Sequence, residues 1–213
     1  MLRALALLTV LAAAPALAQP VPFDGGWKNQ KFSLFSGNRY GQQGDALTVG
    51  SDGSVSILWR ALPAAQWPAR KARWAWAVDR GVPETDLRLK GGDDRNLALY
   101  FVFMPEETAQ ALGPNPGIRR LLDAPEARVL VYVWGGAHRR GEVLDSPYLG
   151  DRGRTVVLRP SGTGAHAEDI DLAADFARAF GGQATALVGL AVSSDSDDTD
   201  TDVQARISGP RLE

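Results

Sequence analysis

The sequence predicts an all-β fold, a single antiparallel β-sandwich that is jelly-roll-like and carries one or two short helices. Apolar residues alternate at a period of two over many short runs. Glycine or proline punctuates nearly every connection, and few stretches repeat at helical spacing. Short strands at such intervals favour two packed antiparallel sheets.

In chain order, residues 32–35 form a short opening strand and 46–49 a second. Ser51-Asp52-Gly53 then turns the chain into a strand over 54–61. Over 73–78, Trp74, Trp76 and Val78 fall on one face. Residues 95–104 and 128–134 are apolar on both faces: Leu97, Leu99, Phe101 and Phe103 oppose Ala98, Tyr100 and Val102. Likewise Val129, Val131 and Val133 oppose Leu130, Tyr132 and Trp134. Such strands are expected to be central and covered on both sides. Residues 155–158, 186–193 and 203–207 complete the strands. Pro105-Glu106-Glu107 opens a short helix, with proline and acids in its first turn. A second is expected over 169–180, where Ile170, Ala173, Ala177 and Phe180 repeat at helical spacing. Asp169 is placed to cap it and Gly181-Gly182 to end it.

Arg3, an apolar stretch over 4–14 and Ala16-Leu17-Ala18 have the pattern of a secretory signal peptide over residues 1–18, cleaved after Ala18. The mature chain, 19–213, reads as one domain and is expected to be periplasmic or secreted. It contains no cysteine, which excludes disulfides and thiolate metal sites. Beyond the leader no stretch has the length of a membrane helix, so stable membrane insertion is not expected. Loss of Arg3 takes the formal charge from −2 to −3, and no basic stripe suggests a nucleic-acid partner.

Several segments carry a family resemblance: Ser36-Gly37-Asn38-Arg39-Tyr40, Ile57-Leu58-Trp59, Arg73-Trp74-Ala75-Trp76 and Lys90-Gly91-Gly92-Asp93-Asp94-Arg95. Further along come Val131-Tyr132-Val133-Trp134, Asp175-Phe176 with Phe180-Gly181, and the run from Ala191 to Thr199. In order and spacing the chain resembles the bacterial domain of unknown function 3047 family. That resemblance implies an exported β-sandwich and no established activity. Asp198 stands where the family usually has asparagine.

Five carboxylates fall within eight residues in Asp195-Ser196-Asp197-Asp198-Thr199-Asp200-Thr201-Asp202. Oxygen-rich, sulfur-free clusters suit a hard cation such as calcium, and Asp195, Asp197 and Thr199 have a one-three-five rhythm. The other reading is a solvated hairpin in which Asp and Thr side chains bond nearby amides. In Gly91-Gly92-Asp93-Asp94-Arg95, the adjacent acids cannot both face one way in extended backbone. One is expected to turn to a site, with Arg95 in reach, while the other closes the turn. Trp74 and Trp76 share the phase of Val78 and read as core. Trp134 ends a strand before Gly135-Gly136 and reads as an exposed binding aromatic.

Catalytic signatures are thin. His138 and His166 are expected in polar, glycine-containing loops with no metal-ligand spacing, and no nucleophile elbow or zinc-protease helix is present. The chain therefore reads as a non-catalytic binder of a carbohydrate or cell-envelope polymer, using Asp93, Asp94, Arg95, Asp195, Asp197 and Trp134. Two alternatives stand beside it. One is a polysaccharide hydrolase or lyase pairing Asp93 or Asp94 with Asp195, Asp197 or Glu168, with one cleft wall from the loop 135–154 holding His138, Arg139, Arg140 and Tyr148. The other is an envelope module that binds protein through an exposed apolar patch.

Overall fold

Two β-sheets face each other across an aromatic core in the computed structural model, which describes residues 18–34 and 36–213. The expected leader, apart from Ala18, and Phe35 lie outside the described residues. The elements in chain order are β1 (Gln19–Pro20), β2 (Lys28–Lys31), β3 (Arg39–Gln42), β4 (Ala46–Asp52), β5 (Val55–Ala61), β6 (Lys71–Arg80), β7 (Arg95–Met104), α1 (Glu106–Leu112), α2 (Ile118–Asp123), β8 (Arg128–Trp134), β9 (Val143–Ser146), β10 (Gly150–Arg159), β11 (Gly164–Asp171), α3 (Leu172–Phe180), β12 (Ala186–Asp195) and β13 (Asp202–Leu212).

One sheet runs β2-β5-β12-β7-β8-β10-β9. The other runs β11-β6-β13-β4-β3, with β1 added at the end of β13. The predicted jelly-roll-like sandwich is thus formed. Its pairings are antiparallel except for β8 with β10, which run parallel.

The core follows from alternation along the strands. Trp74, Trp76 and Val78 of β6 point between the sheets and are buried. Opposite them stand Leu97, Leu99, Phe101 and Phe103 of β7 and Leu130, Tyr132 and Trp134 of β8. The rings interlock: Trp74 lies 5.5 Å from Trp76 and 5.9 Å from Tyr132, and Trp76 lies 5.6 Å from Trp134. Tilted and edge-on pairs at these separations add to the burial of large rings.

The outer face of the seven-stranded sheet carries smaller residues, among them Ala98, Val102, Val129, Val131, Val133 and Ala191. Ala109 of α1 and Ile118 and Leu121 of α2 pack on part of it. Both faces of β7 and β8 are therefore covered, as their continuous apolar character predicts.

Several boundaries differ from expectation. The strand expected over 32–35 is displaced to β2, Lys28–Lys31, and residues 32–34 bend away from it. The helix expected over 169–180 is α3 and begins at Leu172. Asp171, not Asp169, is its cap, accepting the Ala174 amide at 2.9 Å. Residues before it form β11, which pairs with β6 from Gly164 to Asp171, so Ile170 is buried from a strand. Tertiary pairing overrode the helical spacing there. No described helix is long and apolar enough to cross a membrane.

Candidate functional site

A cleft of about 440 Å³ opens on the outer face of the seven-stranded sheet. Its floor is made by β-strand side chains such as Val102, Val129, Val131 and Val133, and α2 walls one side with Ile118 and Leu122. The remaining walls come from the loop carrying Leu87 and Asp93, from Ser146–Leu149, and from Phe32. At one end the lining changes from aliphatic to charged.

That end is built where two distant segments meet. Asp195 pairs with Arg95 across β12 and β7, one bulge beyond the Ser193–Ala98 pair. Strict alternation from Leu97 would aim Arg95 into the core. The bulge turns it onto the cleft face, a common use of such irregularities. Arg95 Nη1 then donates to Asp93 Oδ2 at 2.7 Å and to the Asp93 carbonyl at 2.8 Å, and lies 3.2 Å from Asp195 Oδ2. Arg95 Nη2 donates to the Tyr100 hydroxyl at 2.9 Å, which lies 3.0 Å from Ser193 Oγ. Tyr148 donates to Asp93 Oδ1 at 2.9 Å, and its ring sits under Lys90 at 5.2 Å.

Asp93 and Asp94 divide as their adjacency requires. Asp93 faces the cleft. Asp94, fully buried, accepts the amide of Thr199 at 2.7 Å, its hydroxyl at 2.6 Å and the Asp198 amide at 3.4 Å. One acid thus joins the site and the other pins the acidic hairpin beside it. A buried polar network anchors the far side of that hairpin: Ser51 Oγ lies 2.8 Å from Ser196 Oγ, and Asn38 Nδ2 donates to the Ser194 carbonyl at 2.7 Å.

Asp195 is the unusual member. Its side chain is only 9 % exposed, and its Oδ1 has no hydrogen-bond partner. Burial, reinforced by Asp197 and Asp93 against the pull of Arg95, pushes its carboxyl up to about 8. A protonated Asp195 would be a donor, with the Asp197 carboxylate as acceptor beside it. Burial and the bond to Asp93 likewise push the Tyr148 hydroxyl up to about 12.

Two expectations are corrected here. Trp134 is no rim aromatic: it is 1 % exposed, wedged between Trp76 and His166 in the core. The glycines after it mark close approach rather than an edge, since a Cβ on Gly136 would meet Leu87 Cγ at 2.6 Å and one on Gly135 would meet Arg95 Cβ at 2.7 Å. The metal trio Asp195, Asp197 and Thr199 does not assemble either. Thr199 is committed to Asp94 and Asp195 to Arg95, and the carboxylates that gather within 4.8 Å are Asp94, Asp197 and Asp198.

Other candidates lie elsewhere. Glu168 is buried on the opposite sheet, accepting from Trp76 Nε1 at 3.1 Å and Arg159 Nε at 2.9 Å. His166 lies in β11, not in a loop. His138 accepts the Leu87 amide at 3.2 Å and supports the loop behind the cleft. Of the loop 135–154, the stretch Ser146–Leu149 with Tyr148 reaches the cleft; His138, Arg139 and Arg140 do not line it. Ser193 escaped the sequence reading because it sits in an apolar strand, whereas Tyr100, a candidate aromatic from the sequence, does reach the site. The alternation that puts Tyr100 opposite Phe101 was the available signal.

A sequence model for the family described as "Protein of unknown function (DUF3047)" matches residues 25–209. The chain belongs to the DUF3047 family. Both segments that meet at the cleft end lie within the matched DUF3047 region. No curated protein matches the sequence. Among solved structures, the catalytic domain of Humicola grisea Cel12A in complex with a thio-cellotetraose superposes with a TM-score of 0.49 at 14 % identity, covering 92 % of this chain and 99 % of that one. A loop-swap mutant of Necallimastix patriciarum Xyn11A gives 0.48 at 9 %, covering 92 % and 94 %. The xyloglucanase domain of the effector NopAA from Sinorhizobium fredii, in complex with cellobiose, gives 0.43 at 9 %, covering 94 % and 99 %.

Proposed function

We propose that this DUF3047 protein is an exported, non-catalytic binding protein that takes a carbohydrate-bearing molecule of the cell envelope into the cleft. The observation that carries this reading is the meeting of Asp93 and Arg95 with Asp195 and Asp197 at one end of a cleft of about 440 Å³. That volume suits a small ligand. The unpartnered Asp195 Oδ1, Asp197 and the hydroxyls of Tyr100 and Tyr148 supply the mixed donors and acceptors that a polyol needs.

Arg95 argues against turnover. Glycoside hydrolysis needs two carboxyls with the scissile bond between them. Here one guanidinium nitrogen fills that position, and Tyr148 holds the far oxygen of Asp93. The enzyme reading keeps one point in its favour, because a carboxyl held near 8 is protonated at neutral pH as a general acid must be. A protein-docking module is favoured less, because the exposed large apolar residues gather around the cleft or beside its lining loops.

The test is calorimetric titration with envelope glycans and glycolipids, alongside assays for released reducing ends and for lyase products. Binding without turnover is expected, with affinity lowered about fivefold by Tyr148→Phe, the size of one lost hydrogen bond. No binding above background, with or without calcium, removes the reading, and steady product release replaces it with the enzyme.

A further inference from the structure

The chemistry of the cleft's long dimension differs from that of its end. Val102, Val129, Val131, Val133, Ile118 and Leu122 present methyl groups and no hydrogen-bonding atoms. Sugar rings bind through flat aromatic faces flanked by polar groups, yet Trp74, Trp76, Phe101, Phe103, Tyr132 and Trp134 are spent on the inner face, and the strands give the cleft only the Tyr100 ring. Water in an aliphatic groove lacks the two to four polar partners that hold ordered water, so an apolar chain displaces it favourably.

The mouth points the same way. Phe32, Leu34, Leu89 and Tyr148 are the exposed large hydrophobic residues among the described residues, at 61, 90, 58 and 55 % exposure. Phe32 and Tyr148 line the cleft, and Leu34 and Leu89 each stand two residues from a lining residue. Exposed apolar surface concentrated at the rim of an apolar groove marks a binding mouth. At the polar end, Asp93, Asp195 and Asp197 outnumber Arg95, which is already bonded to Asp93 and faces Asp195. An anionic head group would meet Asp93 and Asp197 with Arg95 already committed and Lys90 seated over the Tyr148 ring; an uncharged, hydroxyl-rich head would find acceptors.

We infer that the cleft holds an amphiphile with one aliphatic chain: the chain lies along the valine floor, and an uncharged polyol head meets Asp195, Asp197 and Tyr148. This inference rests on the cleft being the binding site and names the ligand class that fills it.

The test uses the full domain and a series of alkyl glucosides of increasing chain length, each below its micellar concentration, titrated beside free cello-oligosaccharides and dodecyl sulfate. Each added methylene is expected to tighten binding about fourfold until the cleft is full. Dodecyl sulfate is expected to bind about tenfold or more weakly than dodecyl glucoside, because the acids repel its head. Val131→Phe, which fills the floor, is expected to abolish the chain-length dependence. Tyr148→Ala, at the exposed rim, tests the head contact without disturbing the floor, with about a fivefold loss expected.

Affinity independent of chain length, together with binding of plain oligosaccharides that Tyr148→Ala weakens, overturns the aliphatic chain and leaves the carbohydrate reading of the cleft standing. Equal affinity for the sulfate head overturns the assignment of the polar end. Wild-type affinity for alkyl glucosides in both variants places the ligand elsewhere, and no binding by any probe overturns both readings.

Discussion

The two faces of the seven-stranded sheet share one backbone and have opposite fates. The inner face presents Leu99, Phe101, Tyr132 and Trp134, large enough to reach across to Trp74 and Trp76 and fill the space between the sheets. The outer face presents Ala98, Val102, Val131 and Val133, which pack on α1 and α2 over part of their surface but are too short to fill the rest of the space beneath that partial cover. A cleft of about 440 Å³ remains. Hydrophobicity alone does not distinguish a core from a binding groove here; side-chain reach does. The inner face is sealed by its own rings, whereas the outer face is apolar and only partly filled.

Four measurements would break or sharpen that contrast. Trp134→Ala is expected to destabilise the domain by about 4 kcal/mol in urea unfolding, since the sealed face cannot collapse around the lost ring. Val131→Ala should cost only about 1 kcal/mol, because its methyls face an open cleft. Equal losses would mean that the outer face is as tightly closed as the inner one.

Arg95→Met is next. It leaves Asp93 and Asp195 without their shared partner in a buried position, and a loss of about 3 kcal/mol is expected in the same experiment. A loss below about 1 kcal/mol would show that solvent already screens the charged end.

The pH dependence of stability tests Asp195 directly. Its carboxyl is raised from 3.8 to about 8 on folding, so between those values the native state holds a proton that the unfolded chain has released. Stability therefore falls as pH rises through this window, by up to about 1.4 kcal/mol per pH unit from this group, and levels off above it. Asp195→Asn should remove that component of the slope in melts across the pH range. An unchanged slope would assign it to another group.

The smallest effect is Val131→Leu. Adding one methylene to the open face should raise stability by up to about 0.8 kcal/mol, visible as a small rise in Tm. A comparable enlargement on the inner face, Leu130→Phe, should instead cost about 1–3 kcal/mol through overpacking.

Legibility in the sequence followed the range of the interaction concerned. Residues 95–104 and 128–134 match β7 and β8 to the residue, because alternation along a strand is local and strong. The division of labour between Asp93 and Asp94 was also legible, since adjacent residues in extended chain must point apart. Trp134 was misread because its glycine neighbours suggested a free edge, although its phase with Tyr132 already pointed inward. Asp169 was misread as a cap because the partnership of β11 with β6 is set by a strand about ninety residues earlier in the chain.

Local patterning by itself determined that this chain makes a sandwich, which strand residues share a face, and that acids gather in two short segments. Only the closed fold decided that those segments meet. Asp93 and Asp195 are joined by one arginine, and that arginine reaches the cleft through a bulge that no periodicity reveals. The same holds for the cleft itself: alternation says which side chains look outward, but the height at which α2 passes over them is a matter of tertiary packing.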